Sequence, residues 1–413
     1  MHSMYPLLQG LAEYSNRALF KEYVGSPDAP AWRTITYKGF LRDLEATAAR
    51  FHQELGKFGL HQNEVVGLWI TGKLYEDVVN LYALARAGYI PQVFSLVMAT
   101  QGGVMINDLL RVCNGKALVY DEYYQEYISE VDFPVLRVPG LLSPATLQAK
   151  EHLVGLPVIE DHDVAIIFHT SGTTSGRPKP VPQSHRWLKY QWQVSWPCAW
   201  QGGGPEQKVF SNIGSFANVA SATRTATTQT VLNKVIPLGD CIIRTSKPDF
   251  DAAELLAMVK NEGLNNIYLY AARMSRLLEV AKTDTETLEA LRGMQQVSYT
   301  GEALNPDDIR WITEQRLPIV AIYASTELSV TLVSDLKRPE NLPSMRLIDD
   351  STIQPIPIAE NDPKYKAQLF DIFVPGDAPN CPHVSYRNLP DGHVSGDLFE
   401  ETQPGYFAFR AML

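Results

Sequence analysis

The sequence predicts an α/β protein with two parallel sheets, each flanked by helices, followed by a smaller β unit. Short apolar runs typical of buried strands alternate with stretches that have a helical spacing of apolar residues, which favours parallel sheets covered by helices. Past about residue 335 the pattern changes to many prolines and short apolar strands. We therefore expect two interleaved α/β subdomains in residues 1–335 and a small β-barrel-like subdomain in residues 336–413.

The first third of the chain supplies the strands and helices of one sheet. Two segments carry apolar residues three and four positions apart, as one face of a helix requires. These residues are Phe40, Leu41, Leu44, Ala48, Phe51 and Leu55 in the first segment, and Val78, Val79, Leu81, Leu84 and Ala85 in the second. Short apolar runs at Val65–Ile70, Tyr89–Phe94 and Ala117–Tyr120 predict strands.

The alternation resumes in the second half of the chain. Phe250–Glu262 predicts a helix that begins at Asp249 or Asp251 and ends at Gly263, because acidic residues cap helix starts and glycine ends helices. Further strands are predicted at Asn266–Tyr270, Gln296–Thr300 and Ile319–Tyr323.

Composition excludes several classes of protein. The formal net charge of −10 argues against nucleic acid or an anionic membrane as the main partner. The four cysteines have no short spacing, which argues against a disulfide framework or a zinc site and fits a reducing compartment. The N-terminus lacks the basic start and apolar core of a signal peptide, and no apolar run approaches the roughly 20 residues of a membrane span. We expect a cytoplasmic protein.

The segment Phe168–Lys179 has the composition of a phosphate-binding loop. It follows an apolar run, Val164–Phe168, that predicts a strand. Glycine lets the backbone approach an anion closely, consecutive N–H groups form an anion-binding concavity, and hydroxyls and a lysine add donors and charge. The segment lacks the Gly-Lys-Ser/Thr ending of a Walker loop. A polar surface turn is the alternative interpretation.

Three further motifs lie at predicted strand ends or beginnings. They are Tyr299–Leu304, Tyr323–Glu327 and Val394–Phe399. In open α/β sheets, ligands bind outside the carboxyl ends of strands, where the first two motifs fall. Each motif taken alone has a structural alternative, since a Thr-Glu pair often caps a helix and Gly-Asp often forms a turn.

In this order and at these separations, the four motifs resemble those of the adenylate-forming superfamily. This superfamily contains acyl- and aryl-CoA ligases, luciferase-like enzymes and adenylation domains of nonribosomal peptide synthetases. The resemblance covers nearly the whole chain and implies that it binds ATP and Mg²⁺ and forms an acyl- or aryl-adenylate. The nucleotide-binding residues that it implies are Thr170, Ser171, Gly172, Thr173, Thr174, Gly301, Glu302, Ala303, Tyr323, Ala324, Ser325 and Asp397.

The resemblance also implies roles for individual residues. Tyr323 matches the aromatic residue stacked on adenine, and Asp397 matches the carboxylate that holds the ribose hydroxyls. Gly301–Ala303 lies where the family has the wall of its adenine pocket. The implied catalytic residues are Lys179 on the phosphates, Thr326 on the α-phosphate and Glu327 as the magnesium ligand.

The chain departs from the superfamily pattern in its loop and at its end. Ser175 is an additional residue in the phosphate loop, and Pro180 replaces the usual glycine after the lysine. Both features resemble fungal synthetase-like carboxylic acid reductases. The sequence stops at Leu413, where relatives have a hinge and a mobile C-terminal subdomain. We therefore expect a large N-terminal core that adenylates slowly by itself, with a phosphopantetheine-bearing carrier domain and a reductase or thioesterase domain beyond it.

The substrate is predicted from one pocket segment. Amino-acid-activating relatives have an aspartate in the segment that corresponds to Phe210–Phe216, and here that segment contains no acid. Asn212 matches an asparagine of aryl-acid-activating relatives, and a neutral amide suits a hydroxybenzoate. Capping of a loop backbone is the alternative role for Asn212. Phe216, Tyr299 and Ile322 are predicted apolar walls, or alternatively core residues.

The sequence leaves alternatives to an aryl-acid adenylation core. They are a fragment of an aryl- or acyl-CoA ligase, an amino-acid-activating domain and a non-catalytic nucleotide-binding module.

Overall fold

The computed structural model describes residues 1–26, 28–140, 153–170, 177–202, 206–212, 235–247, 249–358 and 367–412. Strands and helices alternate along most of this length. The strands of these residues are β1 (Ala18–Tyr23), β2 (Trp32–Thr36), β3 (Val65–Trp69), β4 (Ile90–Phe94), β5 (Ala117–Tyr120), β6 (Val135–Arg137), β7 (Val164–His169), β8 (Pro180–Ser184), β9 (Val209–Asn212), β10 (Cys241–Arg244), β11 (Asn266–Tyr270), β12 (Gln296–Thr300), β13 (Ile319–Ser325), β14 (Ser329–Val333), β15 (Met345–Leu347), β16 (Gln354–Pro357), β17 (Leu369–Pro375), β18 (Gly392–Val394), β19 (Asp397–Gln403) and β20 (Tyr406–Met412).

The helices are mostly short, and they separate the strands of both sheets. The α-helices of the described residues are α1 (Met4–Glu13), α2 (Tyr37–Gly56), α3 (Tyr75–Arg86), α4 (Gly102–Val112), α5 (His185–Tyr190), α6 (Trp196–Ala199), α7 (Ile236–Leu238), α8 (Ala252–Glu262), α9 (Ala271–Ala281), α10 (Thr285–Arg292) and α11 (Pro306–Gln315). Shorter 3-10 segments cover Leu96–Gln101, Glu122–Glu130 and Pro339–Asn341, and a π-helical turn covers Gln191–Ser195.

The described residues form two units, and each unit is built from separate stretches of the chain. The first unit draws its residues from Met1–Glu22, Thr34–Lys189 and Gly214–Gly239, and the second from Tyr23–Arg33, Tyr190–Ile213 and Asp240–Leu413. The chain therefore leaves and re-enters each unit more than once.

The first unit contains a six-stranded sheet in the order β6-β5-β3-β4-β7-β8. All neighbouring pairs are parallel except β7 and β8. Trp69 and Phe94, the last residues of β3 and β4, are fully buried, and Trp69 stacks on Tyr124 with ring centroids 4.3 Å apart. Large aromatic side chains of this kind bury much apolar area, so they contribute strongly to the stability of the unit.

The helix α2 illustrates how the apolar spacing leads to structure. Thr36 precedes it and accepts a hydrogen bond from the backbone N–H of Gly39 at 3.1 Å, which caps the helix start. One face of the helix is buried through Phe40, Leu44, Ala48, Phe51 and Leu55. Although α2 has 20 residues, neither α2 nor any other described helix is long and apolar enough to cross a membrane.

The second unit contains a sheet that is parallel in one half and antiparallel in the other. The strands β10, β9, β11, β12 and β13 are neighbours in this order and pair in parallel. From β13 the order continues β14-β15-β20-β19-β17-β16 with antiparallel pairs, and β18 also pairs with β17. The C-terminal strands therefore extend the parallel sheet, and no pairing among the described strands closes them into a barrel.

The α/β class predicted from the sequence is confirmed, and several predicted boundaries agree with the structure. Helix α8 begins after Asp251, whose side chain accepts a hydrogen bond from the N–H of Glu254 at 2.9 Å. It ends before Gly263, which has φ +72°. The independence of a subdomain at residues 336–413 stays a prediction.

Two buried histidines contact each other beside the N-terminal helix α1. The rings of His2 and His185 have centroids 4.4 Å apart, and His185 Nδ1 accepts a hydrogen bond from the N–H of Ser3 at 3.2 Å. Burial lowers the pKa of His2 to about 3 and that of His185 to about 4, with the N-terminal amino group contributing to both shifts. Both rings are therefore neutral at pH 7.

We predict that stability falls as the pH drops from about 6.5 towards 4. The pKa of both histidines is lower in the folded chain than the unfolded value of about 6.5. The contribution of the two neutral rings to the free energy of unfolding is therefore complete above that pH. Below it this contribution is lost, because the unfolded chain takes up protons first. His185→Asn, which keeps an acceptor for Ser3, should reduce the loss of unfolding free energy between pH 7 and pH 5 by about 2 kcal/mol.

Chemical denaturation at a series of pH values measures this effect. The matched control is His162→Asn, because His162 is exposed. If the free energy of unfolding became less dependent on pH to the same extent in both variants, the buried ring of His185 would not be the cause of the pH dependence.

Candidate functional site

Three of the predicted motifs meet at one edge of the sheet of the second unit. The neighbouring parallel strands β12 and β13 end at Thr300 and Ser325, so their carboxyl ends lie side by side. Ligands bind at such edges in open α/β sheets. The strand β19 begins at Asp397, and this side chain is hydrogen-bonded to Tyr323 near the end of β13.

Tyr323 is held by its hydroxyl and by its ring. The hydroxyl donates a hydrogen bond to Asp397 Oδ2. The ring lies edge-to-face against Phe399, with centroids 4.9 Å apart, and nearly parallel to Phe409, with centroids 6.1 Å apart. Burial raises the pKa of Tyr323 well above its usual value, and the charge and hydrogen bond of Asp397 raise it further. The phenol is therefore a neutral donor, and the carboxylate of Asp397 is its acceptor.

A pocket of about 340 Å³, including the part open to solvent, lies beside this pair. Its lining residues are Tyr299, Thr300, Gly301, Glu302, Ala303, Ala321, Ile322, Tyr323, Pro343, Met345 and Phe409. The hydroxyl of Tyr299 is buried and has no hydrogen-bond partner among the described residues. Gly301 turns the chain with φ +95°, a conformation that favours glycine. The structure thus brings Gly301–Ala303 together with Tyr299 and Ile322.

Glu327 is an acidic residue whose surroundings disfavour its charge. Burial raises its pKa, and the negative charge of Asp397 raises it further, while the hydroxyl of Ser325 acts in the opposite direction. None of the described ion pairs involves Glu327. The preceding residue, Thr326, is buried. A carboxylate without a basic partner has the ligand chemistry that Mg²⁺ prefers, so Glu327 fits a magnesium ligand.

No protein-only metal cage is present in the described ranges. They contain no group of three or more His, Cys, Asp or Glu side chains that could hold a metal ion. Mg²⁺ is usually bound by one or two carboxylates together with substrate phosphates. The single carboxylate of Glu327 matches that mode.

In the first unit, Thr170 directly follows β7 and Lys179 directly precedes β8, and the two residues are hydrogen-bonded to each other. The N–H of Thr170 donates to the carbonyl of Lys179 at 2.9 Å, and the N–H of Lys179 donates to Thr170 Oγ1 at 3.0 Å. The side chain of Lys179 is exposed. These two hydrogen bonds close the base of the predicted phosphate loop and leave the lysine side chain in solvent.

A buried polar network holds the end of β7 just before Thr170. His169 stacks on Phe94 with ring centroids 5.1 Å apart, and its Nδ1 lies 3.0 Å from the carbonyl oxygen of Val93. Burial lowers the pKa of His169 to about 4. The neutral ring therefore donates from Nδ1 to Val93 and accepts at Nε2 from Gln92 Nε2, 3.2 Å away. Nothing in the local sequence around Gln92 indicated this contact.

Asp371 is a further residue that the sequence motifs did not include. Its carboxylate accepts hydrogen bonds from Ser395 and Gly396, the two residues before Asp397. The one signal in the sequence is a single acid within the otherwise apolar run Leu369–Val374.

Several predicted site residues lie outside the described residues. They are Ser171, Gly172, Thr173, Thr174 and Phe216. Asn212 is the last residue of β9, with its backbone opposite Arg244, and its side chain also lies outside the description. Thr170 and Lys179 belong to the first unit, whereas Tyr323–Glu327 and Asp397 belong to the second.

Comparison with known sequences decides the family. Residues 12–358 match the family described as AMP-binding enzyme. The chain belongs to the AMP-binding enzyme family. The adenylate-forming resemblance drawn from the motifs is thereby confirmed, and this AMP-binding enzyme is of the class that activates carboxylic acids with ATP.

Fungal proteins are among the relatives of this AMP-binding enzyme. The chain is 28% identical over 421 residues to the AMP-binding domain-containing enzyme iboA of Amanita muscaria, which covers 98% of this chain and 78% of the relative. It is 24% identical over 294 residues to malformin synthetase mlfA of Aspergillus luchuensis, which covers 68% of this chain. The chain spans only 5% of that synthetase.

Solved structures share the fold. The o-succinylbenzoate CoA synthetase MenE of Bacillus subtilis superposes with a TM-score of 0.73 at 14% identity, over 98% of this chain and 77% of that one. The ATP-bound MatB of Rhodopseudomonas palustris gives a TM-score of 0.72 at 17% identity, over 100% and 79% of the two chains. At these identities the likeness establishes the fold.

We predict that Tyr323→Phe weakens ATP binding about tenfold. The change keeps the ring but removes the hydroxyl that orients Asp397. Because Asp397 is the predicted ribose ligand, a less well oriented carboxylate should bind ATP less tightly. Isothermal titration calorimetry with ATP and Mg²⁺ measures the effect. Tyr190→Phe is the matched control, because the hydroxyl of Tyr190 donates to Asp349 at 2.8 Å and neither residue lines the pocket beside Tyr323. Equal losses in both variants would contradict the orienting role.

Proposed function

We propose that this AMP-binding enzyme activates an aromatic, hydroxybenzoate-like carboxylic acid by converting it to an aryl-adenylate. The observation that carries the proposal is the pairing of Tyr323 with Asp397 beside the pocket at Gly301. A ring for the base and a carboxylate for the ribose are the two groups that nucleotide recognition at this sheet edge needs.

The reaction joins two anions, so the site has to offset their repulsion. A carboxylate oxygen of the acid attacks the α-phosphorus of ATP, a new O–P bond forms, and the bond to the leaving pyrophosphate breaks. Lys179, Thr326 and the loop residues Thr170–Thr174 would stabilise the charge that builds on the phosphates. A magnesium ion on Glu327 would supply further charge neutralisation. Contacts to Tyr323 and Asp397 would keep the nucleotide in line for attack.

The substrate class is supported by uncharged polar groups in the pocket region. The unpartnered hydroxyl of Tyr299 can donate to or accept from a ring hydroxyl. Asn212 offers an amide with the same capability, and Phe216 and Ile322 complete apolar walls in the proposal. None of these proposed substrate residues carries the negative charge that would pair with an amino acid's ammonium group.

We further propose that the activated acid passes to the phosphopantetheine thiol of a carrier domain, in a synthetase-like carboxylic acid reductase of the cytoplasm. The match to malformin synthetase supports a carrier partner, and the four free cysteines support a reducing compartment. Transfer to coenzyme A is the second candidate. It is supported by the structural neighbour MenE, which is a CoA synthetase and covers 98% of this chain.

A pyrophosphate-exchange assay with benzoic, phenylpropanoid, fatty and amino acids tests the substrate class. We expect hydroxybenzoates to give the fastest exchange. Exchange driven by amino acids alone would contradict the aryl-acid proposal. Formation of a coenzyme A thioester from the best acid would favour the second candidate over the carrier domain.

We predict that Glu327→Gln has opposite effects on stability and on catalysis. Because its pKa is raised in the folded chain, ionised Glu327 destabilises the fold, and this cost grows as the pH rises above about 4.5. Without Mg²⁺ at pH 8, the glutamine variant should therefore unfold at the same or a higher temperature. Exchange at limiting Mg²⁺ should fall by about tenfold or more.

Glu340→Gln is the control, because Glu340 is exposed in the same unit. Unchanged exchange in Glu327→Gln at limiting Mg²⁺ would reject its role as the metal ligand.

A further inference from the structure

Asp371 is a buried acid on β17 that is hydrogen-bonded to the turn before Asp397. Its exposed fraction is only 6%. The hydroxyl of Ser395 donates to Asp371 Oδ1 at 2.6 Å, and the N–H of Gly396 donates to the same oxygen at 3.2 Å and to Oδ2 at 3.3 Å. The N–H of Ile372 adds a third donor at 2.6 Å.

The strand pairing places this turn opposite Asp371. The strand β17 pairs with both β18 and β19, which flank Ser395 and Gly396. The N–H of Ser395 also donates to the carbonyl of Ile372 at 2.9 Å. The hydroxyl of Ser395 accepts from the N–H of Asp397 at 3.2 Å while it donates to Asp371. A short chain of hydrogen bonds therefore runs from Asp371 through Ser395 to the backbone of Asp397.

Packing alone does not account for an acid at this position. Leu369 and Phe373, which lie on the same face of β17, are apolar, and none of the described ion pairs involves Asp371. A buried carboxylate loses its hydration, and only good hydrogen bonds offset that loss. The donors come mainly from a turn in which Gly396 has φ +72°. The carboxylate accepts from both Ser395 and Gly396, so it contributes to holding the turn in this conformation.

We propose that Asp371 is a positioning residue for nucleotide binding. It fixes the Ser395–Gly396 turn, so that the carboxylate of Asp397 stays where the hydroxyl of Tyr323 holds it and can receive the ribose hydroxyls. Asp397 is thus held at its backbone by Asp371 and at its side chain by Tyr323. The inference rests on the proposed role of Asp397 in ribose binding.

The test compares ATP with 2′-deoxy-ATP and 3′-deoxy-ATP by calorimetry on the 413-residue chain in the presence of Mg²⁺. We expect the wild type to bind ATP more tightly than either analogue. Asp371→Ala should weaken ATP binding about tenfold and leave the affinity for the analogues nearly unchanged, so that the preference for ATP falls towards 1. Asp371→Asn keeps an acceptor oxygen for Ser395 and should retain most of the preference.

Two further variants keep the test decisive. Asp240→Ala is the matched control, because Asp240 is also 6% exposed and accepts a backbone hydrogen bond, from Lys208, in the same unit. It should leave the preference for ATP unchanged. If Asp371→Ala does not fold, Ser395→Ala removes the intermediate hydroxyl and should reduce the preference in the same way.

The outcomes separate this inference from the proposed function. If Asp371→Ala or Ser395→Ala weakens binding of ATP and both analogues equally, Asp371 has only a structural role and the inference is overturned. If the wild type shows no preference and Asp397→Asn changes nothing, the proposed role of Asp397 fails, and the inference fails with it.

Discussion

The hydrogen bond between Tyr323 and Asp397 constrains the shape of the whole antiparallel half of the second unit. Tyr323 lies on β13 and Asp397 on β19, and three strands, β14, β15 and β20, lie between them in the sheet order. In a flat sheet, four steps of about 4.8 Å would put β13 and β19 about 19 Å apart, beyond the reach of a tyrosine side chain. The sheet therefore has to curl, and the rings of Phe399 and Phe409 fill the inside of the curve. The proposed nucleotide site, which combines Tyr323 with Asp397, depends on that curvature.

The candidate site concentrates acidic groups, and the charge of one of them, Glu327, is costly to the fold because the group is buried. Glu327, Asp397 and Asp371 lie in or behind one edge of the sheet, and the charge of Asp397 raises the pKa of Glu327. Functional sites are where proteins keep groups of this kind, at some loss of stability. A cation, or a nucleotide that donates hydrogen bonds from its hydroxyls, would offset the unfavourable free energy of these neighbouring carboxylates.

The sequence predicted the parts of the structure that depend on local pattern. The ends of helix α8 at Asp251 and Gly263 were predictable because capping acts within a few residues. The strand β11 was predictable because Ile267–Tyr270 is a short run of β-branched, aromatic and aliphatic residues. Contacts across long stretches of chain carry no such signal. Asp371 meets Ser395 24 residues later, and Gln92 meets His169 77 residues later. The continuity of the C-terminal strands with the parallel sheet was missed for the same reason, since strand partners are set by tertiary packing.

The way the two units share the chain has a consequence for chimeras with relatives. Each unit combines three separated stretches, and the second begins with Tyr23–Arg33 and finishes with Asp240–Leu413. A hybrid made by one splice inside residues 1–413 therefore leaves foreign partners in at least one of the two units. The lining residues of the pocket at Gly301 all lie within Asp240–Leu413, so one junction can transplant the pocket but leaves it packed against two foreign stretches of its own unit. During synthesis, the strand β13 emerges before β19 and β20, so Tyr323 lacks its aromatic neighbours until Phe399 and Phe409 have been made.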